Sequence, residues 1–246
     1  MEQANRTLLE EGLRSYGLEP TPASSEAVIK HLAMVADWNE RVNLTAITGE
    51  RDMVIKHALD SAAGFAGVKL EAGMRVLDVG TGAGFPGVTW KCLLPKIDLV
   101  LLESLQKRCR FLEAVGKEVI QPLTGSVEGY RVVWSRAEEA GQVSEHREVY
   151  DVATARAVAE LRVLAEYCLP FVRIGGYFLA MKGPGVHEEV EAAERAIGVL
   201  GGRVDAVLEV DLPEGAGSRS LVRIQKVKPV PKGYPRKAGI PSKIPL

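Results

Sequence analysis

"VLDVGTGAGFPG", residues 76–87, decides how the chain is read. An apolar run ends in Asp78, and glycines follow at alternate positions: Gly80, Gly82 and Gly84. From Gly82 the same letters spell G-x-G-x-x-G through Gly84 and Gly87, the fingerprint of a dinucleotide site. Glycine after a strand permits a sharp turn and lets a ligand approach the backbone. Pro86 then suits the start of a helix. In a dinucleotide site such a loop brings pyrophosphate to the helix N-terminus. Asp78 argues against that, because its carboxylate would lie beside the phosphates. A cationic cofactor accepts that neighbour. The G-x-G-x-x-G is therefore read as a coincidence of register, and Asp78 with Gly80, Gly82 and Gly84 as the informative pattern.

On either side of this loop the chain changes character. Residues 1–65 read as a helical extension, with "TPASSEAVIKHLAMVADWNERVN" opening on a Thr21 cap followed by Pro22. Residues 66–228 alternate short Val/Leu/Ile runs with helix-length segments. The runs are 74–79, 97–103, 130–135, 150–155 and 175–182. That alternation predicts an α/β fold with a parallel sheet covered on both faces. Two last runs, "VDAVLEVDL" and "SRSLVRIQKV", have no helix between them and read as an antiparallel hairpin. Residues 229–246, basic and rich in proline, have little claim to regular structure.

The composition fits a reduced compartment. Three scattered cysteines form no C-x-x-C pair, so neither a zinc site nor a disulfide framework is expected. The polar N-terminus is no secretory signal, and no apolar run is long enough for a transmembrane helix. A cytoplasmic protein without metal or membrane is the expectation. Charge is segregated: the chain carries −1 overall, but residues 215–246 hold eight Lys/Arg and no acid, leaving −9 on the first 214. A polyanionic partner or a solvated tail explains this equally well.

Acids at the ends of the next strands extend the site. Glu103 ends the second strand and can accept hydrogen bonds from ribose hydroxyls, in NAD or S-adenosylmethionine alike. Glu138, after the third strand, suits the exocyclic amine of adenine. Alternatively, Glu138 answers a helix dipole, and Glu103 precedes a helix capped by Ser104. Arg156 closes the fourth strand, where open α/β sheets bind ligands, or pairs with Glu160. His57, Asp60 and Ser61 share one helix face, at a pocket mouth or in a structural cluster. Asn43 and Thr45 cap or turn the chain in "VNLT".

Taken in order, "LDVGTGAGFPG", "LLESLQKRCRFL", "WSRAEE" and "ATARAV" resemble the RsmG (GidB) family. Its members are S-adenosylmethionine-dependent methyltransferases of guanine N7 in small-subunit (16S) ribosomal RNA. The resemblance extends upstream to "DWNERVNLTAIT" and downstream to "YPRKAGIPSKIPL". Phe85 stands where some members carry leucine. The resemblance implies a Rossmann-like class I methyltransferase fold: a seven-stranded, mostly parallel sheet with the C-terminal hairpin and the N-terminal extension. It implies that Gly80, Thr81, Gly82 and Phe85 face the methionine part of the cofactor. Glu103, Ser104 and Leu105 would surround the ribose, Ala137 and Glu138 the adenine, and Arg156 the junction with substrate. Guanine N7 has a free lone pair, so no general base is expected. Asp78 and Asp151 are candidate sources of negative field for the charge on the product base. Arg136, Lys182, Tyr234, Arg236 and Lys237 are candidates for holding ribosomal RNA or a ribosomal particle, with Lys107 or Arg108 as further ones. Two rivals are an NAD(P)-dependent oxidoreductase and a non-catalytic RNA-binding protein on the same fold.

Overall fold

The computed structural model describes residues 3–156 and 159–246. Ala157 and Val158 of "ATARAV" lie outside them. Seven strands form one sheet: β1 (Arg75–Val79), β2 (Asp98–Glu103), β3 (Tyr130–Trp134), β4 (Tyr150–Arg156), β5 (Val172–Lys182), β6 (Gly202–Asp211) and β7 (Ser218–Lys226). Their order is β3-β2-β1-β4-β5-β7-β6. The first five are parallel, and β7 runs antiparallel between β5 and β6. The expected fold is therefore the observed one, with each predicted run on a strand. The hairpin inserts its second strand next to β5 rather than simply extending the edge.

Apolar residues occur consecutively in the strands because both faces are covered. Val76, Leu99 and Leu101 join one core, while Leu77, Val79, Val100 and Leu102 join the other. Successive side chains of a strand point to opposite faces. The helical extension packs on the first face. Its helix Pro22–Asn39 begins as expected: the Thr21 hydroxyl accepts from the Ser24 amide. Residues 50–66 form a continuous helical stretch containing a π-helical turn, Val54–Leu59. Trp90 on helix Gly87–Leu93 fastens this stretch to the sheet, its indole N–H donating to the Ser61 carbonyl at 2.7 Å. All three cysteines are buried and free.

The basic C-terminal part is not a free polycation. Four of its eight cations are ion-paired with acids of the first 214 residues: Arg219 with Asp60, Arg223 with Asp205, Lys226 with Glu148 and Arg236 with Glu166. Residues 229–246 are mostly irregular, as expected, but packed: Val230, Pro235 and Pro241 are buried. Arg147 gathers the carbonyls of Tyr234, Val230 and Pro231. Sequence cannot supply this correction, since Arg236 and Glu166 lie 70 residues apart.

Candidate active site at the carboxyl edge of the sheet

The glycine loop leaves β1 through three left-handed residues, Gly80, Gly82 and Gly84, with φ of +69°, +59° and +91°. Asp78 lies beneath the loop, wholly buried. Its Oδ2 accepts from the Thr81 hydroxyl at 2.7 Å and the Gly87 amide at 2.9 Å, folding the loop back over the strand. Its Oδ1 has no hydrogen-bond partner among the described residues. Desolvation raises the Asp78 carboxyl to about 6, against the pull of the Thr81 and Gly87 hydrogen bonds and of Arg156. Gly87 begins the helix, where a Cβ would come within 2.8 Å of Leu101 and 2.9 Å of the Asp78 carboxylate. The third glycine of the G-x-G-x-x-G thus permits close helix–strand packing, as it does in dinucleotide folds. Its register is not the coincidence read from the sequence.

Glu103 joins this loop to the turn after β2. Oε1 accepts from the Ser104 and Leu105 amides at 2.7 and 2.8 Å, and Oε2 from the Gly82 amide at 3.1 Å. Helix Gln106–Val115 is capped by Leu105 with no side-chain hydrogen bond, so Ser104 is not its cap. Beside these residues is a cavity of about 200 Å³ lined by Gly80, Leu102, Ser104, Ala137, Glu138 and Tyr167. Arg136 also faces it and is exposed.

Beyond Phe85 a larger cleft, about 490 Å³, is lined by Ile47, His57, Asp60, Arg156, Lys182 and Arg219. The Phe85 ring stacks on His57 with centroids 4.6 Å apart, and the Arg156 guanidinium lies 5.2 Å from its centre. Arg156 pairs with Asp60 at 3.1 Å, not with Glu160, which pairs with Arg162. Asp60 also takes Arg219 at 3.0 Å. Burial and the adjacent Arg156 lower His57 to about 3, so the ring is neutral at pH 7. Its Nδ1 accepts from Arg156, which leaves Nε2–H to donate to the Thr45 hydroxyl at 2.9 Å. Asn39, rather than Asn43, holds the "VNLT" turn through the Leu44 and Thr45 amides. His57, Asp60 and Ser61 therefore do both things the sequence allowed: the first two line the cleft, and Ser61 anchors Trp90.

Other candidates are placed elsewhere. Asp151 sits at the start of β4, at the opposite edge of the sheet, where it accepts from the Arg75 amide and Arg173. It cannot lend its field to this site. Lys182 is in the cleft but bonded to Glu189 and the Ala159 carbonyl. Tyr234 packs against the second core, and Arg236 is held by Glu166. Lys237 is exposed. Arg219 and Tyr167 were missed. Arg219 reaches the cleft because β7 is antiparallel: near its start, Ser220 pairs with Lys182 at the end of β5. No motif signals that. Among the described residues no group of three or more His, Cys, Asp or Glu is placed to hold a metal. No helix among them is long and apolar enough to cross a membrane.

Known proteins resemble both the chain and the fold. The crystal structure of the 16S rRNA (adenine(1408)-N(1))-methyltransferase from Catenulisporales acidiphilia superposes with a TM-score of 0.52 at 17% identity. The match covers 70% of this chain and 94% of that one, and it shows a common fold. Ribosomal RNA small subunit methyltransferase G of Symbiobacterium thermophilum is 65% identical over 99% of this chain and 98% of its own length. That of Alkaliphilus oremlandii is 47% identical over 98% of each. The family model of GidB, rRNA small subunit methyltransferase G, matches residues 24–221. The chain therefore belongs to the GidB family of small-subunit rRNA methyltransferases.

Proposed function

We propose that this protein methylates N7 of a guanine in small-subunit ribosomal RNA, using S-adenosylmethionine, in the cytoplasm. The carrying observation is Glu103, whose carboxylate is fixed by the amides of Gly82, Ser104 and Leu105, between Leu102 and Ser104 of the smaller cavity's wall. A carboxylate has about four acceptor positions; the three amides take three, and a ribose hydroxyl would take the one now held at 3.4 Å by the Ser104 hydroxyl. The rest of the cleft suits the same group. Gly82 keeps its outer face open, since a Cβ there would meet nothing closer than 3.9 Å. Glu138 lies where an adenine amine would need an acceptor, and the Ala137 amide is a donor for a ring nitrogen of the base. Asp78 places a carboxylate under the loop that would face a positive sulfur. Bound there, S-adenosylmethionine supplies an activated methyl group.

The chain's task is then mainly alignment, which can lower a barrier by roughly 7–11 kcal/mol. Gly80, Thr81, Gly82 and Phe85 shape the methionine end, and Arg156 with Asp60 forms the wall towards substrate. Both ring nitrogens of His57 are engaged, which suits a reaction at guanine N7 that needs no base. RNA is met on the ribose side. A groove of about 530 Å³ there is lined by Arg41, Asn43, Leu105, Lys107 and Arg108, with no acid. Near it Trp134 is 59% exposed, its indole N–H tied to the Ser104 carbonyl. Exposed aromatics beside cations stack unpaired bases.

Mapping ribosomal RNA methylation in cells with and without the gene tests the reaction: the reading predicts one guanine N7 that is unmethylated only in the deleted strain. An unchanged map would overturn it. Two substitutions follow. Glu103→Ala should weaken S-adenosylmethionine binding by roughly 10- to 100-fold in calorimetry, because three amides lose their acceptor. Trp134→Ala should weaken RNA binding about tenfold and leave cofactor affinity unchanged; an unaltered RNA titration would remove Trp134 from the interface.

A further inference from the structure

We infer that the C-terminal segment, residues 229–246, is a positioning element of the adenine site, acting through Glu138. The inference rests on the S-adenosylmethionine reading above. Glu138 stands on a four-residue helix, Ala137–Ala140, too short to be rigid alone. The hydrogen bond its side chain makes among the described residues is to the tail: the Gly239 amide donates to Oε1 at 2.9 Å. That contact fixes one carboxylate oxygen and leaves the other for a donor in the cavity that Glu138 lines.

The tail is itself fixed to the wall of that cavity. Arg236 donates from Nε and Nη2 to Glu166 at 3.0 and 2.6 Å, and from its backbone amide at 2.8 Å. Glu166 is 1% exposed and adjoins Tyr167, which lines the same cavity. Bidentate guanidinium–carboxylate pairs fix orientation as well as distance. Upstream, Gln142 donates to the Pro235 carbonyl at 2.6 Å. The path is continuous: helix Leu161–Cys168 holds Arg236, three residues on Gly239 holds Glu138, and Glu138 faces the purine. A carboxylate so placed accepts from a 6-amino group. A 6-oxo group would set two acceptors against each other, leaving a buried carboxylate oxygen unpaired. The tail therefore sets the preference for adenine over a 6-oxo purine.

Calorimetry with S-adenosylhomocysteine and its 6-oxo analogue S-inosylhomocysteine tests this on the full chain. The unaltered protein should prefer the amino form by roughly tenfold or more. In Arg236→Ala the ratio should fall towards one, while Arg236→Lys should retain part of it. Urea denaturation checks that each variant is folded. If Arg236→Ala does not fold, truncation after Ala238 removes the Gly239 amide donor and leaves the Arg236–Glu166 pair in the chain, and should also abolish the preference. A substitution at Gly239 would not test this cleanly, since its φ of +80° excludes proline and strains any other side chain. A folded Arg236→Ala variant or a folded chain ending at Ala238 that discriminates like the unaltered protein would overturn the role of the tail. An unaltered protein that binds both ligands equally would overturn it too, through Glu138. One that binds neither would instead reject the cofactor reading on which it rests.

Discussion

Asp78→Asn is expected to alter stability in a way that depends on pH, and to weaken cofactor binding. The carboxyl of Asp78 titrates at about 6 in the folded chain, chiefly because burial removes its hydration. Its unfolded value is about 3.9. A folded value above the unfolded one means that the native state holds the proton more tightly. Stability is therefore greatest below about pH 4 and falls as pH rises through 6. The gap corresponds to about 3 kcal/mol above that window. Asparagine keeps an oxygen for Thr81 and Gly87 but never ionises. The stability difference between Asp78→Asn and the unaltered chain should thus shift by about 2 kcal/mol in favour of asparagine between pH 4 and pH 7. Urea denaturation at both values measures it; parallel stabilities would show that Asp78 does not titrate as described. The same substitution removes the negative charge beneath the loop, so S-adenosylmethionine affinity should drop by roughly tenfold or more.

Truncation after Lys228 is expected to unfold the protein or bring it close to unfolding. It strips Glu166 of Arg236, leaving a buried carboxylate without its partner, and that alone costs roughly 3–5 kcal/mol. It also takes three carbonyl acceptors from Arg147 and the Val230 amide from Glu148. Native stabilities of about 5–15 kcal/mol leave little after such a loss. A thermal melt compares the two chains directly. A truncated chain melting within a few degrees of the full one, with a flatter salt dependence of RNA binding, would restore the picture of a solvated polycation.

Much of the fold was legible because its signal is local. Val- and Leu-rich runs mark strands covered on both faces, and Thr21-Pro22 marks a helix start. The glycine loop and Glu103 were legible for the same reason, each being set by a strand end. What escaped the sequence is long-range or directional. Arg219 and Asp60 are 159 residues apart and meet only because β7 is antiparallel. Asp151 was misjudged since a carboxylate on β4 is useful at one end of the strand and irrelevant at the other. The basic segment 215–246 was misread because counting charges ignores partners. Four of its eight cations neutralise acids elsewhere in the fold, three of them from β7.

The contact between the Gly239 amide and Glu138 spans 101 residues. During synthesis, Glu138 emerges long before its donor exists. At about 5–20 residues per second, that interval is roughly 5–20 s. Throughout it a nascent chain can display the glycine loop and Glu103 while its purine seat is unfinished. Affinity for the methyl donor would then be acquired late, after most of the sheet has been made, and a prematurely terminated chain would compete poorly for it.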